Sequence, residues 1–132
     1  WEASVAALAQ ESLMAPHSVT FAECDLCKPL DDPANAGVLR EVGGFDLVCF
    51  SYCLIENAID LQRSGFVFID QLLSKAKELS PHMAVLMLDS SWKLWADITA
   101  VAHRHHFVSC YPRHQISCKN VLLLGPEAVG EA

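Results

Sequence analysis

Four short stretches of this chain carry side chains whose types and spacing could do chemistry. Cys24-Asp25-Leu26-Cys27 sets two thiols at the Cys-x-x-Cys spacing, which can ligate zinc or exchange as a dithiol. Zinc needs two further ligands, and the chain has no second Cys-x-x-Cys and no His-x-x-x-His. A redox pair normally opens a helix, whereas Lys28-Pro29 leads into more loop. Two incidental cysteines are the plainer reading, with no metal site assigned. Ser51-Tyr52-Cys53 and Asp89-Ser90 each close an apolar run, and His103-Arg104-His105-His106 ends a helical pattern. His103 and His106 would share a helical face and could hold a metal. A solvated helix end, where cations meet the helix dipole, is the simpler assignment.

The elements that must position these groups are legible from hydrophobic periodicity. Phe45 to Phe50 is a near-continuous apolar run behind Gly43-Gly44, the pattern of a parallel strand covered on both faces. Ligands bind outside the carboxyl ends of such strands, which places Ser51, Tyr52 and Cys53 where chemistry is expected. Trp1, Val5, Leu8 and Ala9 predict an amphipathic helix ended by Pro16, and Ser18–Glu23 alternates as a strand. A proline-interrupted loop and a short helix over Asn35–Val42 follow, with Asn35 as its N-cap. Helix is predicted again from Ile55 to Gln62. After Gly65 it resumes with Ser64 as a fresh N-cap and Phe66, Ile69, Leu73 and Ala76 as its apolar stripe. Met83–Leu88 reads as a second buried strand. Ser91 caps a helix whose inner face is Trp92, Trp95, Ile98 and Ala102. Phe107–Tyr111 and Ile116–Leu124 are the last two strands, and their short link makes them antiparallel. Strands alternating with helices predict an α/β fold with a mostly parallel sheet.

Composition narrows the classes. The 132 residues are one domain's worth or less, and a hydrophobic content of 52% excludes disorder. No apolar run approaches the roughly 18 residues of a membrane span, so the chain reads as soluble. The net charge of −7 offers no general attraction to nucleic acid or anionic membrane. Lys93, Arg104, Arg113 and Lys119, with the neighbouring histidines, are the only candidates for a basic patch. Of the six cysteines, Cys49, Cys53, Cys110 and Cys118 lie in or beside predicted strands, where free Cys behaves as a small buried hydrophobe. A reducing intracellular compartment, cytoplasmic or nuclear, is the expectation.

In order and spacing, these segments resemble a class I S-adenosylmethionine-dependent methyltransferase. That family has a Rossmann-like sheet of seven strands, ordered 3-2-1-4-5-7-6, with an antiparallel last strand. SVTFAECDLCKPL is similar to its third strand and following loop, and FDLVCFSYCLIEN to its fourth strand and loop. MAVLMLDSS, FVSCY and KNVLLLGP resemble strands five, six and seven. Strands one and two, with the glycine-rich loop between them, have no counterpart in the 132 residues. The resemblance therefore implies an incomplete Rossmann-like sheet, with residues 1–132 as the C-terminal two-thirds of one methyltransferase-like domain. A missing N-terminal segment or a partner chain would complete the sheet. Without it, FDLVCF exposes an apolar edge and the chain is expected to fold poorly alone.

The resemblance also implies site residues. Asp25 would accept a hydrogen bond from the cofactor's adenine amino group, and the Leu26 N–H would reach the ring. Ser51 and Tyr52 would lie beside its methionine moiety, and Asp89 and Ser90 would face the acceptor substrate. Plainer roles are a turn-capping Asp25, a strand-end Ser51, an inward-packed Tyr52 and a helix cap at Asp89-Ser90. FSYCL departs from the Asn/Asp-Pro-Pro-aromatic loop of the amino methyltransferases in this family, so methylation of that type is not implied. No spacing singles out a catalytic residue; His82, His114 or Asp89 could serve as a general base. Two further expectations stand beside methyl transfer to an unidentified acceptor: a catalytically inactive methyltransferase-like scaffold, and a metal or redox protein working through Cys24 and Cys27.

Overall fold

The computed structural model describes residues 3–4 and 19–128. Of the predicted helix from Trp1 only residues 3–4, which are helical, fall in this range, and the start of the Ser18–Glu23 segment lies outside it. Residues 19–23 carry no strand, although their alternation predicts one. They run instead against the first helix, α1 (Ala36–Glu41). Gly37 permits this approach, because a Cβ there would lie 2.5 Å from the Ala22 Cβ.

α1 is flanked by single 3-10 turns at Pro33–Asn35 and Val42–Gly44. The second ends at the predicted Gly-Gly stop and feeds strand β1 (Leu47–Ser51). A 3-10 turn at Ile55–Asn57 then enters α2 (Ala58–Arg63). The longest helix, α3 (Val67–Leu79), follows. The break between them differs from the predicted one. Ser64 closes α2, its N–H bonded to the Asp60 carbonyl and its hydroxyl to that of Leu61, and does not cap α3. Gly65 and Phe66 both take left-handed backbone, with φ of 67° and 56°, and reverse the chain without a side-chain cap. The predicted stripe holds: Phe66, Ile69, Leu73 and Ala76 are all buried, and Phe68 and Leu72 join them.

Strand β2 (Ala84–Leu88) leads to α4 (Trp95–His103), then to β3 (Phe107–Tyr111) and β4 (Val121–Pro126). Ser91 makes a turn before α4, accepting from the Lys93 N–H, so the helix starts later than predicted and Trp92 stays outside the core. Ile116–Cys118 is a 3-10 turn, which shortens the predicted last strand at its start.

The four strands form an open sheet in the order β1-β2-β4-β3. β1 pairs parallel with β2, and β4 pairs antiparallel with both β2 and β3. Three strands thus share one direction, and β4 runs against them between two of them. The register places Phe50, Val85, Met87, Leu122 and Leu124 on one face, all buried. α3 covers this face, with Phe68 edge-on to Phe50 at 6.3 Å between ring centroids, and α4 packs against α3 in the same core cluster. The other face carries Leu47, Cys49, Leu86, Leu88, Val121 and Leu123, none of them fully buried and Leu47 56% exposed. No helix among the described residues is long and apolar enough to cross a membrane.

β1 is an edge strand with a definite polarity. The Ala84 N–H donates to the Asp46 carbonyl and the Tyr52 N–H to that of Leu88. Alternation along a parallel ladder then turns the amides of Val48 and Phe50 toward β2 and those of Leu47, Cys49 and Ser51 away from it. In the 132-residue chain, Val48→Pro should cost at least about 1 kcal/mol more than Cys49→Pro, the typical net value of one hydrogen bond. Urea unfolding checks this, and equal losses would mean that the outer edge of β1 is already paired.

Candidate functional site

The carboxyl ends of β1 and β2 lie side by side, and a buried acid holds their loops. Asp89 is 2% exposed. Its Oδ2 accepts from the N–H groups of Leu54 and Ile55, both at 3.0 Å. Its Oδ1 accepts from the Ser90 N–H at 2.8 Å. Asp89 therefore locks the loop after β1 onto the end of β2 and satisfies three amides at once. The role follows from strand pairing: Ser51 is level with Leu88, so the next residue of β2 meets the turn leaving β1. Ser90 sits on the outer side of this lock and is exposed.

Tyr52 is where the chain leaves the sheet. Its N–H still bonds to β2, its φ is 55°, and its side chain is 63% exposed instead of packing inward. Ser51 is also exposed, on the free edge. Asn57 stabilises the turn that follows, its amide donating to the Cys53 carbonyl at 2.7 Å.

The loop holding Asp25 and Leu26 is built around Asn35, which is 0% exposed. The Asn35 side-chain oxygen accepts from the Asp25 N–H at 2.6 Å, and its amide nitrogen donates to the carbonyls of Asp25, Lys28 and Pro29. Sequence makes Asn35 an N-cap, but it makes no side-chain cap bond to α1. Its amide instead organises the ten residues before it. Nothing in the local pattern signals this, because the partners are backbone groups of a loop that the side chain itself creates. Gln71 on α3 ties the loop down, accepting from the Leu30 N–H at 2.7 Å.

Within that loop, Asp25 Oδ1 accepts from the Cys27 N–H at 2.9 Å, a turn-capping bond. Oδ2 has, among the described residues, only the exposed Lys28 ammonium, at 3.9 Å. Among the described residues the Leu26 N–H has no hydrogen-bond partner. One carboxylate oxygen and the next amide thus stay available to a ligand, while the other oxygen serves the fold.

Leu26, Cys24, Cys49 and Cys53 meet along an apolar groove of about 310 Å³, floored by Phe50 and Phe68. The groove joins the Cys24–Leu30 loop to β1. Asp25, Ser51, Tyr52 and Asp89 do not line it. All six cysteines are free thiols. Burial pushes the Cys53 thiol above its ordinary range, and the charges of Asp89 and Glu56 add to this. Burial, Asp25 and then Cys53 do the same to Cys24. Burial, with Asp25 and Asp60, raises Cys27. Among the described residues no three His, Cys, Asp or Glu side chains converge in a way that could hold a metal ion. The His cluster does not keep one helical face either. α4 ends at His103, and His106 has left-handed backbone with φ 59°.

Comparison with known proteins finds no family model that matches the chain, and no curated protein or solved structure significantly similar to it.

Asp89→Ala should cost about 2–4 kcal/mol in urea unfolding, since it strands buried amides at about 1–3 kcal/mol each, and Asp89→Asn should cost less. Equal costs would show that the amides find other acceptors. For Cys24 and Cys53 the sign of the shift keeps the thiol protonated at neutral pH. Their alkylation by iodoacetamide should still be accelerating well past about pH 8.5, where an unperturbed thiol is half ionised. A plateau below that pH, read by mass spectrometry, would show a stabilised thiolate instead.

Proposed function

We propose that this chain is the latter part of a class I S-adenosylmethionine-dependent methyltransferase domain, acting on an acceptor whose chemistry its residues do not specify. The observation that carries the reading is the order β1-β2-β4-β3 with β4 reversed between β2 and β3. The last four strands of that family run in this order, 4-5-7-6, with the seventh reversed. Few α/β sheets insert their final strand this way, since a plain succession of right-handed crossovers would have added it at an edge.

Two further features support a Rossmann-like sheet with more strands. The amides of Leu47, Cys49 and Ser51 face outward along β1, and the second apolar face of the sheet is only partly covered, with Leu47 and Cys49 exposed and Leu86, Leu88, Val121 and Leu123 half-buried. A parallel sheet is stable when both faces are covered, so such a face calls for helices and such an edge for a strand. In this reading a preceding segment or a partner chain supplies both.

S-adenosylmethionine would be held at the carboxyl ends of β1 and of the segment before the Cys24–Leu30 loop, and would supply the activated methyl group. Asp25 Oδ2 is the acceptor for an exocyclic amine such as that of adenine, and the Leu26 N–H, without a partner among the described residues, is the adjacent donor. Ser51 and Tyr52 flank the place where the chain leaves the sheet, and Ser90 stands on the acceptor side. Asp89 contributes through position: with both oxygens accepting from backbone, it shapes the loop that borders the site.

The rival reading, a scaffold that has lost its cofactor, also has an observation in its favour. Asp25 and Asp89 are the acids best placed for ligand work, and both spend acceptors on backbone of this chain. Cofactor binding separates the two. In protein whose β1 edge is completed, Asp25→Ala should weaken S-adenosylmethionine by about 1–3 kcal/mol with little change in melting, the range for one hydrogen bond to a buried polar partner. Asn35→Ala, which unties the loop, should lose both affinity and stability. Calorimetry that finds no binding to the parent protein supports the scaffold, and unchanged affinity in Asp25→Ala removes Asp25 from the site.

A further inference from the structure

The amino-terminal pole of the sheet, opposite the proposed cofactor end, holds a second concave site. There β3 begins and β4 ends, with Phe107 level with Pro126. A cavity of about 550 Å³ opens between this pole and the end of α3, within the range of small-molecule pockets. Its apolar lining is Phe107, Pro81, Pro126 and Ala128, and its polar lining is Lys77, His105, His106 and Glu127.

The polar groups are arranged unequally. His105 is fixed by a 2.7 Å contact from its Nε2 to Asp70 Oδ1 on α3, so that carboxylate is committed, with the Arg104 guanidinium 3.6 Å from the same oxygen. Glu127 is the only acid lining the cavity among the described residues, and its Oε2 lies 3.5 Å from His106 Nδ1. The Glu127 N–H bonds back to the His106 carbonyl at 2.7 Å, which holds this rim together. Lys77 makes no ion pair among the described residues. Among the described residues each acid here is thus engaged with a neighbour, while the Lys77 ammonium beside the apolar walls is not.

We propose that this cavity binds a small amphiphilic monoanion, a carboxylate carried on an apolar body such as a medium-length acyl chain. The carboxylate rests against Lys77 at the rim. The apolar body lies on Phe107 and the two prolines, where it gains by leaving water. Apolar walls with few convergent polar groups are the ordinary make-up of a ligand pocket, and an unpaired cation selects charge over a neutral head. The site uses none of the residues of the proposed cofactor end, so it stands or falls independently of that reading.

The test is a titration of the 132-residue protein, once dispersed amide shifts show that it is folded, with sodium octanoate and, separately, with 1-octanol, followed by amide chemical shifts. Saturable shifts centred on Phe107 and His106 are expected for octanoate, with octanol at least about tenfold weaker, the factor that 1.4 kcal/mol represents. Lys77→Glu, an exposed substitution with no effect expected on the fold, should weaken octanoate by about tenfold and leave octanol unchanged. His106→Asn, which tolerates the left-handed backbone at this position, should retain most of the binding if Lys77 holds the charge. Octanol binding as tightly as octanoate, unchanged octanoate affinity in Lys77→Glu, or no saturation by about 10 mM would each overturn the proposal.

Discussion

The parallel pairing of β1 with β2 is the constraint from which the rest of this structure follows. Two parallel neighbours cannot be joined by a hairpin, so residues 52–83 must travel back along the sheet before β2 begins. That return becomes α2 and α3, and it sets the largest apolar helix face against the Phe50 and Met87 side of the sheet. The turn at Gly65 and Phe66 lets two helices cover a distance that one straight helix would overshoot. At the far end Asp89 closes the unit, tying the loop that leaves β1 to the residue that leaves β2.

The same pairing leaves one side open. Among the described residues β2 has a neighbour on each flank, whereas β1 has one. The helices described all serve one core cluster, so the second sheet face keeps Leu86, Leu88 and Leu123 partly in water. Apolar groups on both faces of a strand make sense where both faces are meant to be covered. The burial pattern of β1, with only Phe50 fully inside, is what such a strand shows at an edge.

The two poles of the sheet also differ in chemistry. Beside the groove the acids and amides largely satisfy one another, and burial and neighbouring carboxylates favour the protonated form of the Cys24 and Cys53 thiols. That environment suits a neutral or cationic ligand better than an anion. At the amino pole, among the described residues, the acids are paired with His or Arg and Lys77 makes no ion pair, which suits an anion.

Strand and helix order was legible from the chain, because the runs at Phe45–Phe50, Met83–Leu88 and Phe107–Tyr111 and the stripe on Phe66–Ala76 are strong local periodicities. The antiparallel relation of the last two strands followed from their short link. The caps were not legible: Ser64, Ser91 and Asn35 all have cap-competent side chains, yet the first two make other turns and the third is spent on a loop. Nor could residues 19–23 be told from a strand, since an alternating segment becomes one only when a neighbour supplies its hydrogen bonds. The sequence by itself determined which segments are apolar on one side or on both. Only the tertiary structure decided that β4 lies between β2 and β3, that Asp89 is an internal clamp, and that Lys77 meets His105 and Phe107 around one cavity. Periodicity is a property of neighbouring residues, whereas these facts depend on groups brought together across the chain by packing.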